Sequence, residues 1–237
     1  RTSTAPPLPR LLRPLQEAGL DRLNISLDTL SRELFTQLTR RDGLGRVLKA
    51  IDLAQELGYS HLKVNVVLMA GVNEDELLDF AALAVAKSID VRFIEYMPFD
   101  GNEWSMGKIV PHSRVMASLR GAYPDLVAAG NDAHDVAVTW RPEPDARGTV
   151  SLISSMTQPF CSGCNRIRLT ADGMLKTCLF GADEVSLRDV MRAGATDGEV
   201  MAVVGGALGR KHARHAGMST PQMISEIGNR PMTTIGG

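Results

Sequence analysis

His61-Leu62-Lys63-Val64-Asn65-Val66-Val67-Leu68 sets Leu62, Val64, Val66 and Leu68 on one side of an extended chain and Lys63 and Asn65 on the other. A period of two is the signature of a β-strand with one apolar face. Upstream, Arg22-Leu23-Asn24-Ile25-Ser26-Leu27 alternates in the same way, and downstream Val91 to Met97 reads as a third strand closed by Pro98. Between these strands, Leu44, Val47, Leu48 and Ile51 recur at helical spacing before the stop signal Gly58, and Glu74 to Lys87 reads as a mostly apolar helix. From about Leu8 to Met97 the order is therefore helix, strand, helix, strand, helix, strand. Alternation of this kind implies an α/β fold with parallel strands joined by right-handed crossovers.

Parallel strands covered by helices on both sides should be apolar almost throughout. Arg22, Asn24, Ser26, Lys63 and Asn65 depart from that rule. Two readings stay open: a curved or barrel sheet whose concave side is a polar ligand chamber, or a sheet face open to water.

A chain of 237 residues with 44% hydrophobic and 22% charged content can bury a sizeable core. A formal charge of −1 supplies no basic field, so neither nucleic acid nor an anionic membrane is an expected partner. No window approaches the roughly 20 apolar residues that a membrane helix needs. The first residue is Arg1, from which an amino-terminal truncation is expected, with any targeting region outside this sequence.

Beyond Pro98 the character changes. Phe99 to Trp104 reads as a loop, Ser113 to Gly121 as a helix, and Ala128 to Gly148 as a surface connection with one short strand, Val136 to Trp140. Thr149 to Ser154 and Arg166 to Thr170 read as strands, with a turn at Ala171-Asp172-Gly173. Ser186 with Asp189 marks a helix start and Gly194 its stop, and Thr196 with Glu199 has capping-box spacing. The expected division is residues 1–110 as the α/β part and 111–237 as an α+β extension that carries the cysteines.

Those cysteines form the pattern Cys161-Ser-Gly-Cys164, thirteen further residues, then Cys178. An odd number with two only three positions apart makes a metal site a better reading than a disulfide framework. Soft thiolates suit zinc or an iron–sulfur cluster. Spacing alone leaves three options: a three-Cys zinc site with His212 or His215 as fourth ligand, a cluster with one open iron, and buried thiols without metal. Arg166 and Arg168, expected on one face of the following strand, offer bidentate donors to phosphate and point toward substrate binding beside an open metal position.

Cys-x2-Cys-Asn-Arg-x-Arg, Cys178-Leu-Phe-Gly181 and the terminal Gly236-Gly237 together resemble the molybdenum cofactor biosynthesis protein A family, the GTP 3′,8-cyclases. Asn24-Ile-Ser-Leu-Asp28, Lys63-Val-Asn65 and Arg92-Phe-Ile-Glu-Tyr-Met97-Pro98 resemble that family's later barrel strands, in family order along essentially the whole chain. Tyr96 to Gly101 and Asn229-Arg-Pro-Met232 resemble its eukaryotic branch.

The resemblance implies a radical S-adenosylmethionine lyase built on an incomplete, TIM-like β/α barrel, with two [4Fe-4S] clusters. One cluster cleaves S-adenosylmethionine to a 5′-deoxyadenosyl radical, which takes hydrogen from C3′ of GTP; the carbon radical then adds to guanine C8. The second cluster, with Cys161, Cys164 and Cys178 as its ligands, holds the guanine. Carried over by position, Ser26 and Met97 contact S-adenosylmethionine, whereas Lys63, Arg92, Arg166, Ile167 and Arg168 contact GTP. Thr2 falls in register with a GTP-contacting threonine, although the family's Thr-Thr-Asn-Gly is here Thr2-Ser3-Thr4-Ala5. Gly236 and Gly237 match an active-site tail. The Cys-x3-Cys-x2-Cys motif of the radical-generating cluster does not occur in this sequence, so the chain alone is expected to be unable to cleave S-adenosylmethionine. GTP is the implied ligand, a homodimer is compatible, and a cyclic pyranopterin monophosphate synthase would act on the product. The implied compartment is the mitochondrial matrix for a eukaryotic chain and the cytoplasm otherwise.

Overall fold

The computed structural model describes residues 8–132 and 134–235. Thr2, Gly236 and Gly237, all singled out in the sequence, lie outside the described residues. The chain separates into two compact units, residues 1–96 with 108–158, and residues 97–107 with 159–237.

The first unit is a mixed α/β structure. Helix α1 (Leu8–Glu17) leads into β1 (Arg22–Ser26), α2 (Arg32–Thr39), α3 (Leu44–Glu56), β2 (His61–Leu68), α4 (Leu77–Lys87) and β3 (Asp90–Glu95). Helix α5 (His112–Ala122) is followed by β4 (Val127–Ala128), β5 (Val138–Arg141) and β6 (Thr149–Ile153). The strands lie in the order β1-β2-β3-β6-β5-β4; the first four pair in parallel and the last two antiparallel. Strand β6, expected in the extension, thus continues the parallel sheet beside β3. Its Val150, Ser151 and Leu152 are all buried, which allowed no clean alternation to show its place in the sequence.

Alternation fixes the register. Leu23, Ile25, Leu62, Val64, Val66, Leu68, Val91, Phe93, Val150 and Leu152 form a continuous apolar face with the helices. Phe80 of α4 meets Phe93 edge to face, ring centroids 6.4 Å apart, an arrangement contributing about 0.5–1.5 kcal/mol beyond area burial. The helix α4 begins after a short 3-10 turn, Glu74–Glu76, so the single helix expected from Glu74 is two elements. The helix α2 went unseen because its eight residues bury Phe35 alone; Ser31 caps it by accepting from the Leu34 N–H. Gly148 lets β6 run against α4: a Cβ there would sit 1.9 Å from the Ala84 carbonyl oxygen.

The second unit contains the short strands β7 (Arg168–Leu169), β8 (Met174–Lys176) and β9 (Val185–Ser186), followed by α6 (Leu187–Arg192), α7 (Asp197–Gly209) and α8 (Pro221–Glu226). The three strands form one antiparallel sheet. Ser186 caps α6, and Thr196 with Glu199 completes the capping box of α7, as their spacing indicates. Among the described residues no helix is long and apolar enough to cross a membrane.

Candidate functional site

In the first unit, the second face of the parallel sheet presents two polar rows. Cross-strand partners place Asn24, Lys63, Asp90 and Thr149 in one row, and Ser26, Asn65, Arg92, Ser151 and Thr139 in the next. Lys63, Asn65 and Arg92 are half-buried. Asp90 organises the rows: it accepts from Arg92 Nε at 2.8 Å, from Ser151 Oγ at 2.7 Å and from Thr149 Oγ1 at 3.1 Å. The Nε edge of Arg92 is thereby fixed, leaving its Nη edge to meet an anion. Burial and then the charge of Arg92 push the Lys63 ammonium below its ordinary value, against Asp90 and Asp135. The Oδ1 atom of Asn65 is buried with no hydrogen-bond partner among the described residues, a state that costs about 1–3 kcal/mol unless a donor arrives.

Around this face, polar side chains secure the strand ends. Asp28 accepts from the Val67 N–H at 2.8 Å, and burial pushes its carboxyl up. Glu95, nearly fully buried, accepts from the Met156 N–H, the Thr157 N–H and the Thr157 hydroxyl. The strand β3 ends there, so Met97 is two residues beyond it, in the second unit and not on the strand as the apolar run suggested.

In the second unit, Cys161 opens a 3-10 turn, Cys161–Gly163, that returns through the Cys164 N–H to the Cys161 carbonyl. The hairpin β7–β8 brings the chain back toward Cys178 through Gly173, whose φ of 82° only glycine adopts readily. All three thiols are free and half-buried. They lie near enough to interact electrostatically: burial first, then Cys178 and Cys164, push the Cys161 thiol up, while the His215 backbone N–H donates to its sulfur and pulls the other way. Among the described residues no three His, Cys, Asp or Glu side chains group to hold one metal ion. Three thiols in one unit are a donor set chemically suited to an iron–sulfur cluster or to zinc.

Arg166 and Ile167 are exposed and precede β7, so the two arginines share no strand face; only Arg168 lies in the strand. The expectation failed because Arg-x-Arg mimics alternation, whereas the chain is still leaving the Cys164 turn. Sequence reasoning also missed Lys176 and Lys211. Lys176 is fully buried, donating to the Gly181 carbonyl at 2.6 Å and to Glu184 at 3.2 Å, which ties β8 to the loop after Cys178. Arg230 joins Glu184 at 2.6 Å and both carboxylate oxygens of Asp172 at 2.9 Å. Nothing in the periodicity marked these cations; a lysine inside the apolar Met174-Leu175-Lys176 run was the one available signal.

Residues 89–217 match the family described as Molybdenum Cofactor Synthesis C, and residues 1–84 match the Radical SAM superfamily. Over 228 residues the chain is 51% identical to Molybdenum cofactor biosynthesis protein 1 of Bos taurus, covering 96% of this chain and 35% of that protein. It is 50% identical over 230 residues to "GTP 3',8-cyclase, mitochondrial" of Arabidopsis thaliana, covering 97% and 58% respectively. To the GTP 3',8-cyclase of Rhodopirellula baltica it is 40% identical over 204 residues, covering 85% and 57%. The chain thus spans between about a third and three fifths of the length of these relatives. With the carboxyl-terminal match alone taking in more than half of its residues, the chain belongs to the Molybdenum Cofactor Synthesis C family.

Proposed function

We propose that this chain is the substrate-binding portion of a GTP 3′,8-cyclase, a radical S-adenosylmethionine lyase that converts GTP to 3′,8-cyclo-7,8-dihydroguanosine triphosphate in molybdenum cofactor biosynthesis. The observation that carries this reading is the polar sheet face, where Lys63 and Arg92 flank an Asn65 whose buried Oδ1 has no partner among the described residues. Such a face wants an anionic ligand that also brings N–H or O–H donors, and a nucleotide triphosphate has both. The named activity of the plant and bacterial relatives supports it.

In this reading Lys63 and Arg92 bind phosphate oxygens, the Asp90 carboxylate keeps the Arg92 fork in place, and Ser26 and Met97 bind S-adenosylmethionine. In the second unit, Arg166 and Arg168 bind GTP oxygens and Ile167 offers an apolar surface. Cys161, Cys164 and Cys178 would hold a [4Fe-4S] cluster, which when bound supplies an open iron for the purine. Thr2 as a GTP contact and Gly236-Gly237 as an active-site tail belong to the same proposal, resting on motif position alone. In the whole protein the parallel strands would form part of an incomplete β/α barrel, with a second cluster cleaving S-adenosylmethionine. A homodimer, a cyclic pyranopterin monophosphate synthase acting on the product, and a mitochondrial matrix location if the chain is eukaryotic, cytoplasmic otherwise, complete the picture; the plant relative's name supports the mitochondrion.

The test is GTP binding by calorimetry to the anaerobically reconstituted chain and its Lys63→Ala and Arg92→Ala variants. Each substitution should weaken binding by roughly tenfold or more, the loss of one charge-assisted contact. Unaltered GTP affinity in both variants would remove the polar face from the site.

A further inference from the structure

Lys211 follows α7 and is half-buried. Its Nζ donates to the Arg166 carbonyl at 2.7 Å, to the Thr177 carbonyl at 2.9 Å and to Cys164 Sγ at 3.7 Å. An ammonium has three donors, so all are engaged. Among the described residues no carboxylate forms an ion pair with it.

The two carbonyls belong to different cysteine-bearing segments: Arg166 is two residues past Cys164, and Thr177 immediately precedes Cys178. Four residues after Lys211, the His215 backbone N–H meets Cys161 Sγ. That donor is aimed by a bend at His215 and Ala216, both in the left-handed region with φ of 40° and 54°. One short stretch following α7 therefore touches all three cysteine segments.

We propose that Lys211 is a positioning residue of the thiolate site, spacing the Cys164 and Cys178 segments and holding an unneutralised positive charge against the Cys164 sulfur. The inference rests on the cluster assigned above. Adding one electron to a cluster makes it more negative, so an adjacent ammonium and its N–H···S bond favour the reduced form and raise the potential. Two donations to backbone carbonyls cannot be explained by a solvated surface lysine, which would keep its ammonium in water.

The chain has three cysteines in all, so after reconstitution with ferrous iron and sulfide every cluster signal reports this site. Midpoint potentials are read by dithionite titration followed by electron paramagnetic resonance, and iron loss by transfer to a chelator, in wild type, Lys211→Gln and Lys211→Arg. Circular dichroism checks that each is folded. Lys211→Gln, neutral but still a donor, should move the potential to more negative values and release iron severalfold faster. Lys211→Arg, which keeps the charge, should stay close to wild type in potential.

A Lys211→Gln potential equal to wild type overturns the proposal and leaves the cluster assignment standing. If Lys211→Gln fails to load, an arginine variant whose potential has left the wild-type value overturns it. Wild type that takes up no iron and sulfide overturns the cluster assignment itself, and this inference with it.

Discussion

Replacing Asp90 by Asn isolates what holds Arg92 in place. Asn retains Oδ1, so Ser151 and Thr149 keep their acceptor, but it sets an amide N–H₂ where Oδ2 received Arg92 Nε at 2.8 Å. The loss is one charge-assisted hydrogen bond, about 1.5–3 kcal/mol. With the side chains of Arg92 and Asp90 at 21% and 17% exposure, solvent screening favours the lower half of that range. A domain of this size should melt roughly 3–8 °C lower. The effect on the proposed GTP binding has two opposing parts. Releasing the guanidinium costs orientation, whereas deleting a carboxylate leaves Lys63 and Arg92 more positive toward phosphate. The held Nε edge is what aims the Nη edge at phosphate, so orientation should prevail and the GTP Kd should rise about five- to tenfold. Calorimetry on the reconstituted chain measures it. An affinity that is unchanged or tighter, alongside a lowered melting point, would refute the positioning role of Asp90.

Gly148→Ala should drive β6 and α4 apart, since the new Cβ would lie 1.9 Å from the Ala84 carbonyl oxygen; a loss of about 1–3 kcal/mol is expected as a lower urea midpoint, and a midpoint equal to wild type would show that the helix yields freely. Asp28 carries a pH signature. Burial raises its folded pKa above the unfolded value, so its favourable contribution is complete only below the unfolded pKa and is lost as pH rises through the folded one. Asp28→Asn should therefore gain stability relative to wild type as pH rises from the unfolded pKa of about 4 through the raised folded one, and a difference in urea midpoint that stays constant with pH contradicts the buried carboxylate.

Strands β1, β2 and β3 were legible because one apolar face and one polar face leave a period of two in the sequence. The same alternation announced the polar rows, though not their chemistry: Asp90 and Ser151 entered only once β6 was found beside β3, a pairing between residues about sixty positions apart. The cysteines were conspicuous by identity, yet their setting was not. Cys161 and Cys164 sit on a turn fixed by backbone hydrogen bonds, and Lys211 reaches Cys164 across 47 positions. A lysine that serves carbonyls and a sulfur looks in sequence like any surface lysine, and an Arg-x-Arg in coil looks like a strand.

The interleaving of the two units bears on how the chain is made. Residues 97–107 belong with residues 159–237, yet the ribosome must deliver 108–158, including β6, between them. Phe99, stacked on Phe180, and Asp100, hydrogen-bonded to Asn229, each emerge long before their partners, 129 residues earlier in the second case. The sheet can close as soon as Ile153 has left the exit tunnel, while an apolar fragment of the other unit waits unpaired. A nascent chain stalled in this interval would expose Phe99 with nothing to cover it, making that stage the one most in need of a holdase chaperone. Severing the chain at the 96–97 junction would split the first unit and at the 158–159 junction the second, so no single cut releases both units whole and they cannot be exchanged as ordinary modules.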